Sequence, residues 1–310
     1  MTVAPPIDAR TARAQTIVAP FVTEYPFAAH FHEVSGGALH YVDEGPVGGE
    51  VVLCVHGNPT WSFYYRRLIK TLSGDRRVIA PDHIGCGLSD KPQDWPYRLA
   101  DHIANLERLV LDLDLQRIHL VVHDWGGAIG CGVAVKHPER FLSVSASNTA
   151  AFPSGRIPAR IDVCRLPVFG PLAIRGLNAF ARAATVMAVE KRDRMTPAVR
   201  AGYLAPYGNW RDRIATLRFV QDIPLSPSHP SHAALCEIDA GLPKLAHLPV
   251  NLSWGERDWC FTPAFRKEWL SRFPDANVLA IENAGHYLLE DAHEEVIPWL
   301  TEQLGRPQKA

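Results

Sequence analysis

Val51-Val52-Leu53-Cys54-Val55 sets five apolar residues in a row and is stopped at once by His56-Gly57-Asn58-Pro59. A strand with no polar residue has no face to offer to water, so it belongs in a sheet covered on both sides. Other segments repeat the pattern. Leu39-His40-Tyr41-Val42 alternates and ends in the turn Asp43-Glu44-Gly45-Pro46; Arg77-Val78-Ile79-Ala80-Pro81-Asp82 and Phe141 to Ala146 are short strands; Ile118 to Val122 is another buried run. Between them lie helical periods at 64–72, at 128–135 and from His102 to Leu113, where Ile103, Leu106, Leu109, Val110 and Leu113 share one face. Strands alternating with helices at this spacing predict a parallel sheet with helices on both faces. The pattern changes after Phe152. Residues 153–237 are helical and proline-bearing, without a convincing strand, and strand character returns at 249–254 and 277–281. The expected organisation is a core first part over 1–152, with 1–24 a loose Ala/Pro-rich arm, a helical cap over 153–237, and the second part of the core over 238–310.

Charge and composition narrow the class. The 32 Lys and Arg against 33 Asp and Glu leave a formal charge of −1 over 310 residues, without the basic excess of a nucleic-acid binder. The 47% hydrophobic and 21% charged content is ordinary for a globular chain and excludes a disordered or fibrous one. Cys54, Cys86, Cys131, Cys164, Cys236 and Cys260 are scattered, with no C-x-x-C pair, and read as reduced thiols of a cytoplasmic protein. The first twenty residues lack the apolar region of a secretory leader. The most membrane-like stretch, 171–189, is interrupted by Arg175, Asn178 and Arg182, so no integral membrane segment is expected.

The chemistry concentrates in Leu120-Val121-Val122-His123-Asp124-Trp125-Gly126-Gly127-Ala128, a strand, a sharp turn and a helix start. A nucleophile elbow of pattern G-x-S-x-G uses the same context to lift a side chain above the edge of a sheet. Here Asp124 stands at the serine position, Val122 replaces the first glycine, and Gly126 and Gly127 let the backbone pass close. A carboxylate needs no deprotonation to attack and suits a carbon bearing a leaving group, giving an ester intermediate. Taken alone, an Asp before a helix is an N-cap; the continuous strand before it and the glycine pair after it favour the nucleophile.

A covalent ester must be resolved, which calls for a base and a carboxylate to orient it. His286, in Asn283-Ala284-Gly285-His286-Tyr287, follows the last strand. Trp254-Gly255-Glu256-Arg257-Asp258 offers two acids; Asp258 lies deeper in its loop and is preferred to Glu256. An acid just after the 141–146 strand is excluded, because no Asp or Glu occurs from Phe141 to Arg160.

With these residues in place, the chain resembles the α/β-hydrolase fold and, within it, the haloalkane dehalogenase-like group. His56-Gly57-Asn58-Pro59-Thr60-Trp61, Asp82-His83-Ile84-Gly85-Cys86-Gly87-Leu88-Ser89-Asp90, His123-Asp124-Trp125-Gly126-Gly127 and Gly285-His286 carry the likeness, which runs from about Phe31 to Leu304. The resemblance implies a mostly parallel eight-stranded sheet, helices on both faces and an inserted helical cap. It implies that Asn58 and Trp125 donate hydrogen bonds to a departing anion or oxyanion. Segment 157–231 is similar to the cap of the β-lactone decarboxylases of bacterial long-chain olefin biosynthesis, through Arg160-Ile161-Asp162-Val163-Cys164-Arg165, Arg200-Ala201-Gly202-Tyr203-Leu204-Ala205-Pro206-Tyr207 and Phe219-Val220-Gln221-Asp222-Ile223-Pro224-Leu225. That likeness implies decarboxylation of a long-chain cis-β-lactone to a cis-alkene and carbon dioxide, with no cofactor and no metal. Phe152, Ile161, Leu166, Phe169 and Leu172 are the expected walls for the alkyl chains.

Haloalkane dehalogenation is the alternative, since Asp124, Asp258, His286, Asn58 and Trp125 serve both reactions. Epoxide hydrolysis would draw acids from Tyr203 and Tyr207, but Asn58 stands where those enzymes usually carry an aromatic residue. Fluoroacetate-type dehalogenation would want arginine at His83. A dead scaffold is disfavoured by the complete set. In the decarboxylase reading Trp125 and Asn58 hold the lactone's carboxyl oxygens, Asp124 attacks a lactone carbon, and His286 with Asp258 moves the proton to or from water. Whether Asp124 attacks the carbonyl or the alkoxy carbon stays open. The likeness further implies assembly with a β-lactone synthetase and a reductase. The mixed apolar and arginine pattern of 170–189 reads as an amphipathic helix, either closing the cap or leaving a face for homo-oligomer, partner or lipid contact.

Overall fold

A computed structural model describes residues 7–305. Eight strands form one sheet: β1 His30–Val34, β2 Gly37–Glu44, β3 Val51–Val55, β4 Arg77–Pro81, β5 Ile118–Asp124, β6 Phe141–Thr149, β7 Val250–Gly255 and β8 Asn277–Ile281. Their spatial order is β1-β2-β4-β3-β5-β6-β7-β8. β1 and β2 pair antiparallel and β2 joins β4 antiparallel; every later pairing is parallel. This is the α/β-hydrolase architecture, with the eight-stranded, mostly parallel sheet expected of it.

The twofold alternation of a strand sends neighbouring residues to opposite faces. Leu53 and Val55 of β3 join Leu120 and Val122 of β5 in one core, while Val52, Cys54 and Val121 point into the other. The chain lays helices over both. α1 is Ile7–Val18, α2 Arg66–Leu72, α3 Leu99–Asp112 and α4 Gly126–Ala134. α3 and α4 cover the first face with Ile103, Leu106, Ile129 and Cys131. α1 and α2 cover the second with Ala14, Val18, Leu68 and Ile69.

The structure departs from the sequence expectation at the N-terminal end. The expected loose arm over 1–24 is largely α1 and a following turn; its first six positions lie outside the described residues. Ala14, Val18 and Phe21 recur at helical spacing and are buried, and Phe21 meets the rings of Trp61 and Phe63 edge-on at 6.3 and 5.5 Å. Ala carries little apolar signal, so the face shows only once it is covered. β1 carries no strand signal in the sequence: an edge strand with half-exposed residues, HFHEV, has no hydrophobic run to display.

Between β6 and β7 lie α5 Ala159–Asp162, a π-helical turn Pro171–Gly176, α6 Ala179–Met187, α7 Pro197–Leu204, α8 Ile214–Gln221 and α9 His232–Gly241. Asn178, in the left-handed conformation at φ 55°, breaks the expected 170–189 helix in two. Among the described residues no helix is long and apolar enough to cross a membrane. α10 Pro263–Arg272, α11 Leu288–Asp291 and α12 His293–Leu304 complete the chain.

Candidate active site

β5 delivers Asp124 to the carboxyl edge of the sheet with φ 53°, a left-handed conformation that costs a non-glycine residue about 1–2 kcal/mol. The turn is tight enough that a Cβ on Gly126 would run into the Val55 carbonyl, and one on Gly57 into the Asp124 carboxylate. Glycine at both places lets the backbone close around the acid. The Asn58 backbone N–H donates to Asp124 Oδ1 at 2.6 Å, and the Trp125 backbone N–H also holds this carboxylate. The Thr149 hydroxyl donates to the Asp124 carbonyl and ties the elbow to the end of β6. Burial raises the Asp124 pKa, and the His286 charge with the two N–H donors restrains that rise.

His286 Nε2 stands 3.6 Å from Asp124 Oδ2, and its Nδ1 donates to Asp258 Oδ2 at 2.8 Å. Burial works to lower the His286 pKa, but the charge and hydrogen bond of Asp258, with Asp124 behind them, carry it above the ordinary value. Glu256 is elsewhere, paired with Arg266 at 2.8 Å. Asp124, His286 and Asp258 thus form one row at and just beyond the ends of β5, β8 and β7.

Some neighbours were not singled out in the sequence. Asn148, near the end of β6 at φ 39°, donates from Nδ2 to Asp258 Oδ2 at 3.0 Å and accepts from the Gly255 N–H at 2.9 Å. It occupies the end of β6, a stretch that holds no acidic residue. The only signal was that place in the chain. The Cys260 N–H donates to Asp258 Oδ1 at 2.6 Å. His123 donates from Nε2 to the His286 carbonyl at 2.8 Å and stacks on Tyr64 at 4.3 Å. Burial and the adjacent His286 charge hold its pKa well below the usual histidine value, so it stays neutral.

The row opens into a cavity of about 370 Å³. Its walls include Phe152, Ile161, Phe169, Ala184, Val220, Ile223, Phe261 and Phe265, with Asn58 and Trp125 beside Asp124. Leu166 and Leu172, also expected as walls, are not: they are 52% and 58% exposed on the outside of the cap. Their turns direct Cys164 and Ala173 inward instead. The Asn58 side chain donates from Nδ2 to the Thr216 carbonyl of α8 at 3.2 Å, and Trp125 lies 5.3 Å from Phe219 on the same helix. The cap tyrosines an epoxide hydrolase would use are engaged away from the cavity: Tyr203 donates to Glu290 Oε1 at 2.6 Å and Tyr207 to the Thr60 carbonyl at 3.4 Å. Among the described residues no group of three or more His, Cys, Asp or Glu is placed to hold a metal ion.

Such a site can direct a fixed carboxylate at a carbon held in an apolar-walled cavity, beside an imidazole whose hold on its proton the neighbouring carboxylates strengthen. Residues 50–293 match the family described as alpha/beta hydrolase fold. The chain is 45% identical, over 89% of its own length and 87% of the relative's, to a cis-3-alkyl-4-alkyloxetan-2-one decarboxylase of Shewanella oneidensis. It is 34% identical to haloalkane dehalogenase 2 of Mycobacterium tuberculosis, covering 91% of this chain and 96% of that one. Among solved structures, a haloalkane dehalogenase loop variant from Bradyrhizobium elkanii superposes with a TM-score of 0.81 at 25% identity, over 90% of this chain and 96% of the other.

Proposed function

The chain belongs to the alpha/beta hydrolase fold family as one of its enzymes, beside haloalkane dehalogenase-like relatives, and we propose that it converts cis-3,4-dialkyl β-lactones to cis-alkenes and carbon dioxide. The observation that carries this reading is the identity of 45% to a protein named for that reaction, against 34% to one named for dehalogenation. The site geometry suits both reactions, and the cavity's apolar walls suit two alkyl chains.

The Asp124 carboxylate attacks the alkoxy carbon of the lactone. A bond forms from Asp124 to that carbon as its bond to the ring oxygen breaks, and the released oxygens become a carboxylate on the neighbouring carbon. Asn58 and Trp125 donate to that leaving group, as they would to a halide. Loss of carbon dioxide then breaks the carbon–carbon bond, its electron pair forms the alkene, and the Asp124 carboxylate departs. Inversion in the first step followed by anti elimination in the second keeps the two alkyl groups cis. No water or proton is consumed. The apolar walls disfavour the charged carboxylate relative to carbon dioxide, which drives the second step. Protonated His286, held by Asp258, keeps Asp124 ionised in this cavity and stabilises it again as it leaves.

The test is to incubate purified protein with a cis-3,4-dialkyl β-lactone and, separately, with 1-bromo- and 1-iodoalkanes. Alkene release from the lactone is the expected result. Halide release with the lactone untouched overturns the reading in favour of dehalogenation.

A further inference from the structure

Eight of the thirteen large hydrophobic side chains exposed among the described residues fall within 163–187, a short part of the cap. Val168 and Leu177 are 71% and 72% exposed, and Leu166 and Leu172 stand beside them in the chain. Apolar side chains exposed this densely within one short stretch cost solubility unless something covers them. Its charge says what does. From 156 to 187 the chain carries Arg156, Arg160, Arg165, Arg175 and Arg182 against the single acid Asp162, although the whole chain is slightly negative. Asp162 pairs with Arg165 at 3.0 Å and Glu268 reaches Arg156 at 3.5 Å. Arg160 and Arg175 lie over the rings of Trp259 and Trp210 at 4.3 and 4.6 Å, and Trp210 is itself 44% exposed. Apolar side chains rimmed by arginine and tryptophan match the boundary between lipid headgroups and acyl chains.

The cavity meets the surface at the same place. Val163, Phe169 and Met187 are exposed and also line the cavity, together with Arg156 and Arg160. We propose that this face of the cap docks on an anionic lipid surface, so that the cavity mouth opens against lipid rather than water. The docking rests on the face alone. Its consequence, that a dialkyl substrate enters from the lipid and the alkene returns to it, rests on the decarboxylase reading.

The experiment is co-sedimentation with vesicles of phosphatidylcholine containing phosphatidylglycerol, against phosphatidylcholine alone, at low and high salt. Wild-type protein is expected to bind the anionic vesicles and to be released by salt. Val168→Asp/Leu177→Asp and, separately, Arg182→Glu are expected to weaken binding at least about tenfold. Turnover of a short, water-soluble cis-β-lactone, which needs no lipid, is expected to stay at the wild-type level in both variants and so reports an intact fold. Failure of the wild type to bind anionic vesicles overturns the proposal. So does binding that neither variant weakens, or a stable dimer in solution that buries Val168 and Leu177. Absence of lactone turnover in the wild type, with vesicle binding intact, refutes the decarboxylase reading and leaves the docking standing.

Discussion

Replacing Asp258 by Asn removes one charge and almost no volume, so its effect reports what that carboxylate does. The carboxylate is buried at 2% exposure and accepts three hydrogen bonds: His286 Nδ1 at 2.8 Å and Asn148 Nδ2 at 3.0 Å on Oδ2, and the Cys260 N–H at 2.6 Å on Oδ1. All three partners are donors. An amide has one acceptor oxygen, so in either orientation its NH₂ faces at least one buried donor. One such conflict, plus the loss of charge-assisted hydrogen bonds, costs about 2–4 kcal/mol. His286 also loses the group that chiefly raises its pKa against burial, so it holds its proton less tightly and supports an ionised Asp124 less well. Asp258→Asn is therefore expected to lower the urea-unfolding stability by that amount and alkene formation on the order of a hundredfold. Glu256→Gln is the control. Its partner Arg266 is an outer one, so stability should change by less than about 1 kcal/mol and turnover should not change. If Glu256→Gln is the more damaging substitution, or Asp258→Asn keeps more than a third of wild-type turnover, the reasoning fails.

Asp124→Asn should lower turnover by about 10⁴-fold or more without unfolding the chain; activity within tenfold of wild type in the lactone assay rules out covalent attack. The rate against pH should be bell-shaped. On the acid side it rises as Asp124 ionises, above the ordinary 3.8. On the alkaline side it falls as His286 loses its proton, above the ordinary 6.5. A rate that instead climbs through the His286 pKa would show that neutral imidazole is required, as base-assisted hydrolysis demands. Phe21→Ala should destabilise the protein by about 3–5 kcal/mol, because the ring is buried against Trp61 and Phe63; a loss under about 1 kcal/mol in urea titration would show that α1 is not part of the core.

The parts of this protein legible in sequence are those that a short window can encode. Val51–Val55 declares a doubly buried strand because burial on both faces leaves no place for a polar residue, and β3 is buried throughout. Asp124 stands out because a tight turn needs glycine beside it, whatever the rest of the chain does. His286 and Asp258 could be placed at strand ends on the same grounds, and the structure brings them to Asp124 in that order. Choices between near neighbours were of another kind. Glu256 and Asp258 are two residues apart, and only the packing of β7 against β6 and the His286 loop turns one toward the site and the other toward Arg266. Asn148 has no local signature, since its amide matters through a carboxylate 110 residues away. Leu166 and Leu172 fit an inward apolar pattern as well as Ile161 does. Yet short turns without a fixed helical phase set which side chains face the cavity, and these two face outward. Sequence determines where backbone geometry and solvent exclusion act within a few residues. Tertiary structure decides which of several equally apolar or equally acidic side chains meets its partner, because that partner comes from a distant strand or helix.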